Sequence, residues 1–278
     1  MTKRAELPHI YDCFLKSSAV CTDTRKLSKG CFFVALKGET FDGNKFVVQA
    51  FEAGAQFALM DDQTLSAAKF LEPYGDRILL VEDALASLQD LATYHREKLA
   101  LPILALTGSN GKTTTKELLQ TTLSQKLNCL ATIGNLNNHI GLPYSILQVE
   151  PKDKFAILEM GMSDFGEIDL LSKILMPDYG IITNIGDSHL EYLKTRGNVF
   201  KAKTEMIPYI QKELIVCGDD PFLKGVKAKK AGYSEEQIKA AIDYERSKYE
   251  ETVVKPAPVP VPAPAPAPFV STIDFDAS

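Results

Sequence analysis

The sequence predicts an α/β fold in two successive parts, followed by a segment unable to pack a core. Short apolar runs alternate with helical patterns as far as about residue 227. In the second part the alternation is β-α-β, the rhythm of a parallel sheet. Beyond residue 228, charge and proline displace the apolar residues.

Each element follows from its own pattern. Within residues 1–98, β-like runs at 31–36, 58–60 and 78–81 are separated by helical stretches at 44–53 and 84–98. Within residues 99–227, strands are expected at 102–106, 155–160, 180–185 and 213–217, with a helix over 113–127 after the first. Over 234–251 a charged helix is expected, with Ser234 as N-cap and Gln237 in the capping-box position. Residues 256–268 alternate proline with alanine or valine, and seven prolines in thirteen residues favour extended polyproline II.

The turn after the 102–106 strand is the most informative stretch. It reads Thr107-Gly108-Ser109-Asn110-Gly111-Lys112-Thr113-Thr114-Thr115 and opens a helix, the layout of a phosphate-binding loop. Gly108 and Gly111 let the backbone turn sharply and offer its N–H groups to phosphate oxygens. The helix N-terminus adds its dipole, Lys112 adds a point charge, and the Thr113 hydroxyl suits Mg²⁺. The Gly-x-x-Gly-Lys-Thr spacing is two residues tighter than the commonest such loop. The alternative, a strand–turn–helix corner with a surface lysine, does not explain why Gly, Lys and Thr coincide there. The expected ligand is a nucleoside triphosphate.

Composition narrows the class. A net charge of −5 gives no reason to expect nucleic acid or an anionic membrane as partner. No signal core and no bilayer-length apolar run is present. Cys13, Cys21, Cys31, Cys129 and Cys217 are odd in number and lack a Cys-x-x-Cys pair, as expected of reduced thiols in a cytoplasmic protein.

Other polar residues cluster at strand ends. Glu159 ends the 155–160 run and is expected in the crevice of a parallel sheet, where it would serve Mg²⁺ or act as an N-cap or salt-bridging glutamate. His189 follows the 180–185 run; a lone histidine there is more often structural than a ligand. Asn135, Asn137 and Asn138 read either as a hydrophilic loop or as amide groups for a polar substrate. Lys203 alone reads as a solvated helix charge.

Taken in order, TGSNGKTTTKE, GNLNNHIGLP, LEMGMSDFGEI, ITNIGDSHLE and VFKAKTEMI resemble the Mur ligases, the ATP-dependent amide ligases of peptidoglycan precursor synthesis. Thr22-Asp23-Thr24-Arg25 and the following GCFFVALKGETFDGNKF resemble that family's UDP-sugar-binding domain. The resemblance runs from about Thr22 to Asp220. It implies a UDP-sugar-binding domain over 1–98 and an incomplete ATP-binding domain over 99–227, with 228–278 unrelated to the family. Asn137-Asn138 and Gly166-Glu167-Ile168 favour the branch that joins D-alanyl-D-alanine to UDP-N-acetylmuramoyl-tripeptide.

By this resemblance, Gly108, Ser109, Asn110, Gly111, Lys112, Thr113, Thr114 and Asn184 would bind ATP, and Lys112 would take the β/γ-phosphates. Thr113 and Glu159 would hold Mg²⁺. His189 and Lys203, the latter carbamylated, would serve a second Mg²⁺. Thr22, Asp23, Thr24, Arg25, Gly38, Asp42, Gly43, Asn135, Asn137 and Asn138 would bind the UDP substrate. The expected chemistry is phosphorylation of a carboxylate and attack of an amine on the acyl phosphate. The family's closing C-terminal domain has no counterpart in the sequence, so a separate C-terminal partner, or a non-catalytic binding module, is the expectation beside a working ligase.

Overall fold

Two parallel sheets follow one another along the chain, in a computed structural model that describes residues 4–224 and Val226. The helix expected over 234–251 and the proline tract lie outside the described residues.

Helix α1 (Leu7–Leu15) buries Ile10 and Cys13 and leads into the first sheet. That sheet comprises β1 (Val20–Cys21), β2 (Phe32–Val34), β3 (Phe57–Met60) and β4 (Ile78–Leu80), in that spatial order. Helix α2 (Val47–Glu52) connects β2 to β3, and α3 (Gln63–Ser66) lies between β3 and β4. The helix expected over 44–53 is divided. Residues Gly43–Phe46 form a 3-10 turn, and the α-helix begins only at Val47. Side-chain bonds cause the split, because Asp42 accepts from the Asn44 amide while the Asn44 side chain is drawn across to Asp61.

Helix α4 (Ala84–Lys98) matches its expected span. Asp83 caps it by accepting from the Ala86 amide, and Ala84, Leu88, Leu91, Ala92 and His95 form its buried stripe at helical spacing. It packs on α1 and on two helices of the second sheet, so one apolar core is continuous from Leu59 and Leu79 to Ile103 and Ala156.

The second sheet has the order β6-β7-β5-β8-β9, all parallel. Its strands are β5 (Ile103–Thr107), β6 (Cys129–Ala131), β7 (Phe155–Glu159), β8 (Tyr179–Ile182) and β9 (Glu213–Val216). Helix α5 (Lys112–Leu123) follows β5; it stops short of residue 127, where the polar Ser124-Gln125-Lys126 run offers no apolar face to bury. Helices α6 (Gly141–Ile146), α7 (Glu167–Leu175), α8 (Leu190–Leu193) and α9 (Arg196–Thr204) complete the connections. β8 ends three residues before the expected position because Thr183 and Asn184 turn onto the loop after β5. β1 and β6, two and three residues long, were too short to leave a periodic signal. All five cysteines are unpaired. Among the described residues, no helix is long and apolar enough to cross a membrane.

Candidate functional site

Central placement of β5 brings three loop ends to one edge of the second sheet: its own and those of β7 and β8. Gly108 has φ 151°, and a Cβ there would fall 1.9 Å from the Thr183 Oγ1; Gly111 has φ 78°. Neither position suits a side chain. The β8 loop splints this turn. The Ser109 amide donates to the Asn184 carbonyl, the Asn110 amide to Asn184 Oδ1, and Thr183 Oγ1 to the Asn110 carbonyl at 2.7 Å. Ser109 Oγ also meets Ser188 Oγ at 2.9 Å.

This splint changes one expectation. The Ser109 and Asn110 amides are occupied by Asn184, so the backbone donors this turn leaves unspent are those of the first turn of α5, whose N–H groups lack intrahelical acceptors. Asn184 stands behind the loop as a brace and does not line the cavity. Lys112 is half-buried rather than solvent-facing, and its Nζ donates to the Gly108 carbonyl at 2.8 Å.

The Glu159 carboxylate, 3 % exposed, faces the loop. Its Oε2 accepts from Thr113 Oγ1 at 3.2 Å, and its Oε1 from Asn137 Nδ2 at 2.9 Å. Two residues the sequence reading missed hold it in position. The Glu159 amide donates to Thr132 Oγ1 at 2.8 Å, and buried Lys116 donates to the Thr132 carbonyl at 2.8 Å. Lys116 falls on the α5 face turned to the sheet, three and seven residues before Leu119 and Leu123, and that helical spacing is the signal that places it there. Asn138 is committed elsewhere, its Oδ1 accepting from the Ile140 and Gly141 amides at the start of α6. Asn135 faces the cavity.

Lys203 departs from the reading as a solvated charge. It is 2 % exposed on α9, and burial followed by the charge of Lys112 lowers its pKa to about 7. His189 adopts φ 54°, in the left-handed region a non-glycine residue seldom enters. Its pKa is lowered by burial, then by Lys203 and Lys112, which keeps the imidazole neutral. Lys112, Thr113, Glu159, His189 and Lys203 line one cavity of about 920 Å³, together with Gly111, Thr114 and the asparagines.

Thr113 and Glu159 form a hydroxyl–carboxylate pair suited to a hard divalent cation that completes its shell with water and phosphate. Among the described residues no three His, Cys, Asp or Glu side chains cluster for a metal. An unmodified Lys203 is not an oxygen donor, so a second cation there fits only the carbamylated form.

The first-sheet candidates do not line this cavity. Asp23 caps a 3-10 turn over Thr24–Lys26 and receives the Arg25 guanidinium at 2.8 and 2.9 Å, which pulls its pKa down to about 2. The Arg25 side chain is otherwise exposed, and Thr22 precedes it at the end of β1. Asp42 caps the turn that starts at Gly43, where a Cβ would lie 2.5 Å from the Leu36 carbonyl oxygen. Gly38 donates to the Phe41 carbonyl. Asn44, 1 % exposed and unremarked in the sequence, ties Asp42 to Asp61, and Lys37 pairs with Asp61 at 2.8 Å.

Comparison with known proteins agrees with this architecture. Residues 106–258 match the Mur ligase middle domain, past the last motif at Asp220, and residues 16–96 match the Mur ligase family catalytic domain. The chain is 44 % identical over 207 residues to the UDP-N-acetylmuramoyl-tripeptide--D-alanyl-D-alanine ligase of Bacillus subtilis, covering 74 % of this chain and 44 % of that protein. For the Escherichia coli enzyme of the same name the identity is 40 %, with 68 % and 40 % covered. The chain thus spans less than half the length of these relatives. MurF from Acinetobacter baumannii superposes with a TM-score of 0.69 at 33 % identity, covering 87 % of this chain and 52 % of that one. MurF ligase from Thermotoga maritima, solved in complex with ADP, gives 0.67 at 33 % identity, covering 76 % and 48 %. From its phosphate loop to the buried lysine of α9, the chain belongs to the Mur ligase family.

Proposed function

We propose that this chain carries the substrate- and ATP-binding part of a ligase joining D-alanyl-D-alanine to UDP-N-acetylmuramoyl-tripeptide. The observation that carries this reading is the convergence of Lys112, Thr113, Glu159, His189 and buried Lys203 on one cavity. Support also comes from the relatives' names and from the ADP complex among the structural neighbours.

In this reading the α5 first-turn amides and Lys112 hold the ATP phosphates, and the tripeptide carboxylate attacks the γ-phosphorus, releasing ADP. The dipeptide amine then attacks the acyl carbon and expels phosphate, forming the amide. Mg²⁺ held by Thr113 and Glu159 would neutralise charge on the transferring phosphoryl group. Asn137 fixes the Glu159 carboxylate; His189, neutral, faces the same space. Lys203 is the carbamylation site, because only a neutral amine attacks CO₂ and burial supplies that form near pH 7. Thr22, Asp23, Thr24, Arg25, Gly38, Asp42, Gly43 and Asn135 serve the UDP substrate, with Asp23 holding Arg25 in its turn. Residues 1–98 are the UDP-sugar domain and 99–227 the ATP domain.

The alternative reading is a UDP-sugar- and nucleotide-binding module without turnover of its own, which would use the same phosphate loop and first-sheet turns. The test is to mix the purified chain with the remaining C-terminal portion of the B. subtilis ligase. Both UDP-substrate and D-alanyl-D-alanine are supplied, and amide product is followed by mass spectrometry. Product formation dependent on the chain and abolished by Lys112→Ala is expected; tight MgATP and UDP-substrate binding without product would favour the module.

A further inference from the structure

A smaller cavity, of about 290 Å³, opens off the nucleotide cavity. Asn138, His139, Gly161 and Glu167 line both, so the two spaces are continuous. Gly161 stands two residues beyond Glu159, which sets the junction within roughly 7 Å of backbone from the carboxylate paired with Thr113. A space of this size falls below the range that holds a whole small ligand. It suits one side chain of a molecule seated next door.

Its wall differs in chemistry from the phosphate end. Phe165, Leu170 and Leu171 supply apolar surface, and Phe165 is 47 % exposed, open to a guest. Leu171 is buried on α7, and Leu170 packs partly into the core. Fixed bonds hold the loop before α7. Glu167 accepts from the Ser163 and Asp164 amides, and the Gly166 amide donates to Glu205 at 3.0 Å. Glu205 follows Lys203 by two residues, so the same bonds tie this wall to the end of α9. A Cβ at Gly161 would lie 2.7 Å from Asn137 Oδ1, so a side chain there would displace the amide that holds Glu159. Among the described lining residues Glu167 is the one carboxylate, and no lysine or arginine is present.

We propose that this side cavity receives the side chain of the substrate's carboxyl-terminal residue and so selects which tripeptide is activated, an inference that rests on the ligase reading above. The carboxylate that attacks the γ-phosphorus lies in the nucleotide cavity, and its side chain starts from the adjacent carbon. The wall of Phe165, Leu170 and Leu171 adjoins that point. Apolar surface favours an aliphatic stem, while Glu167 repels an acidic tip and accepts a neutral or cationic one. The methyl groups of D-alanyl-D-alanine would leave most of the 290 Å³ empty, which favours the tripeptide as occupant.

The test is calorimetric titration of the full chain, with a non-hydrolysable MgATP analogue present. Three forms of UDP-N-acetylmuramoyl-tripeptide are compared, ending in lysine, alanine or glutamate. The lysine form should bind about tenfold or more tighter than the alanine form, the worth of two buried CH₂ groups. The glutamate form should bind no tighter than the alanine form. Methyl signals of Leu170 and Leu171 should shift in NMR spectra with the lysine form and stay in place with the alanine form. Phe165→Ala should shrink the preference for lysine and leave the affinity for the alanine form unchanged, a split that loss of folding does not produce. Equal affinity of the lysine form and either of the others, or Leu170 and Leu171 signals unmoved by it, overturns the side cavity and leaves the ligase reading standing. Binding of none of the three removes the reading and the inference together. The comparison of substrates needs no variant, so it stands even if Phe165→Ala folds poorly.

Discussion

Lys203 shows how one side chain's surroundings set its chemistry. Its folded pKa of about 7 is far below the ordinary 10.5, so between those values the unfolded chain binds the extra proton. Stability therefore rises with pH across that window, and the penalty of the buried charge is complete below about pH 7. His189, also lowered, acts in a separate window, because its penalty vanishes above the ordinary histidine value of 6.5. Lys203→Met should flatten the slope: between about pH 7 and pH 9 the wild type should gain on the variant by about 1 kcal/mol per pH unit in denaturant unfolding. Parallel curves would show that Lys203 is solvated. Bicarbonate should add the mass of one CO₂ to the wild type and not to the variant. Lys112 is the second cause of that lowered pKa, so Lys112→Ala should raise the titration midpoint of Lys203. The same change should weaken MgATP binding by about tenfold or more, as expected for loss of a charged contact to phosphate. Unaltered MgATP affinity in a folded Lys112→Ala protein would remove the nucleotide reading.

The phosphate loop is shaped by two elements that are remote in sequence. Asn184 and Thr183, after β8, occupy the amides and carbonyl of Ser109 and Asn110, while Glu159 at the end of β7 is held by Thr132 and Asn137. The Gly108 position has no room for even a methyl group, because Thr183 Oγ1 is already there. Gly108→Ala should cost about 2 kcal/mol or more in unfolding free energy, through the contact and the positive φ together. Nucleotide affinity should fall with it, since the β8 splint must move. An unfolding midpoint equal to that of the wild type would mean the loop relaxes freely and is not braced as described. Thr183→Ser keeps the hydroxyl bond to Asn110 and should leave both properties near wild type, which separates bracing from packing.

At the scale of the whole molecule, one core joins the two sheets through α4, so the first sheet and the nucleotide cavity belong to one compact unit. In the proposed ligase, an acyl phosphate open to solvent hydrolyses before the amine arrives, and closure over the site is what excludes water. Assayed without the portion of its relatives that it does not span, the 278-residue polypeptide should ligate D-alanyl-D-alanine at or near background while retaining substrate binding. Slow ATP hydrolysis dependent on the UDP-substrate is the expected residual activity. Robust ligation by the chain alone, its length verified by mass spectrometry, would show that closure matters less than this argument requires.

The sequence by itself determined the α/β class, the α4 span, the positions of the longer strands and the phosphate loop, because each rests on local information: apolar periodicity, caps, and glycines flanking Lys112. The motifs also named Glu159, His189 and Lys203 without showing how they meet. Only the tertiary structure decided that Lys203 is buried and that Asn184 braces the loop from behind. It also decided that Asn137 and Asn138 spend their side chains on Glu159 and α6, and that Lys116 and Thr132 stand behind Glu159. Apart from the local Asn138 bond, the hydrogen bonds among them join residues 16 to 74 positions apart, and the burial rests on water excluded by strands that pair only once the sheet has formed. Residue spacing carries periodicity; desolvation and hydrogen-bond allotment exist only when distant segments share a volume.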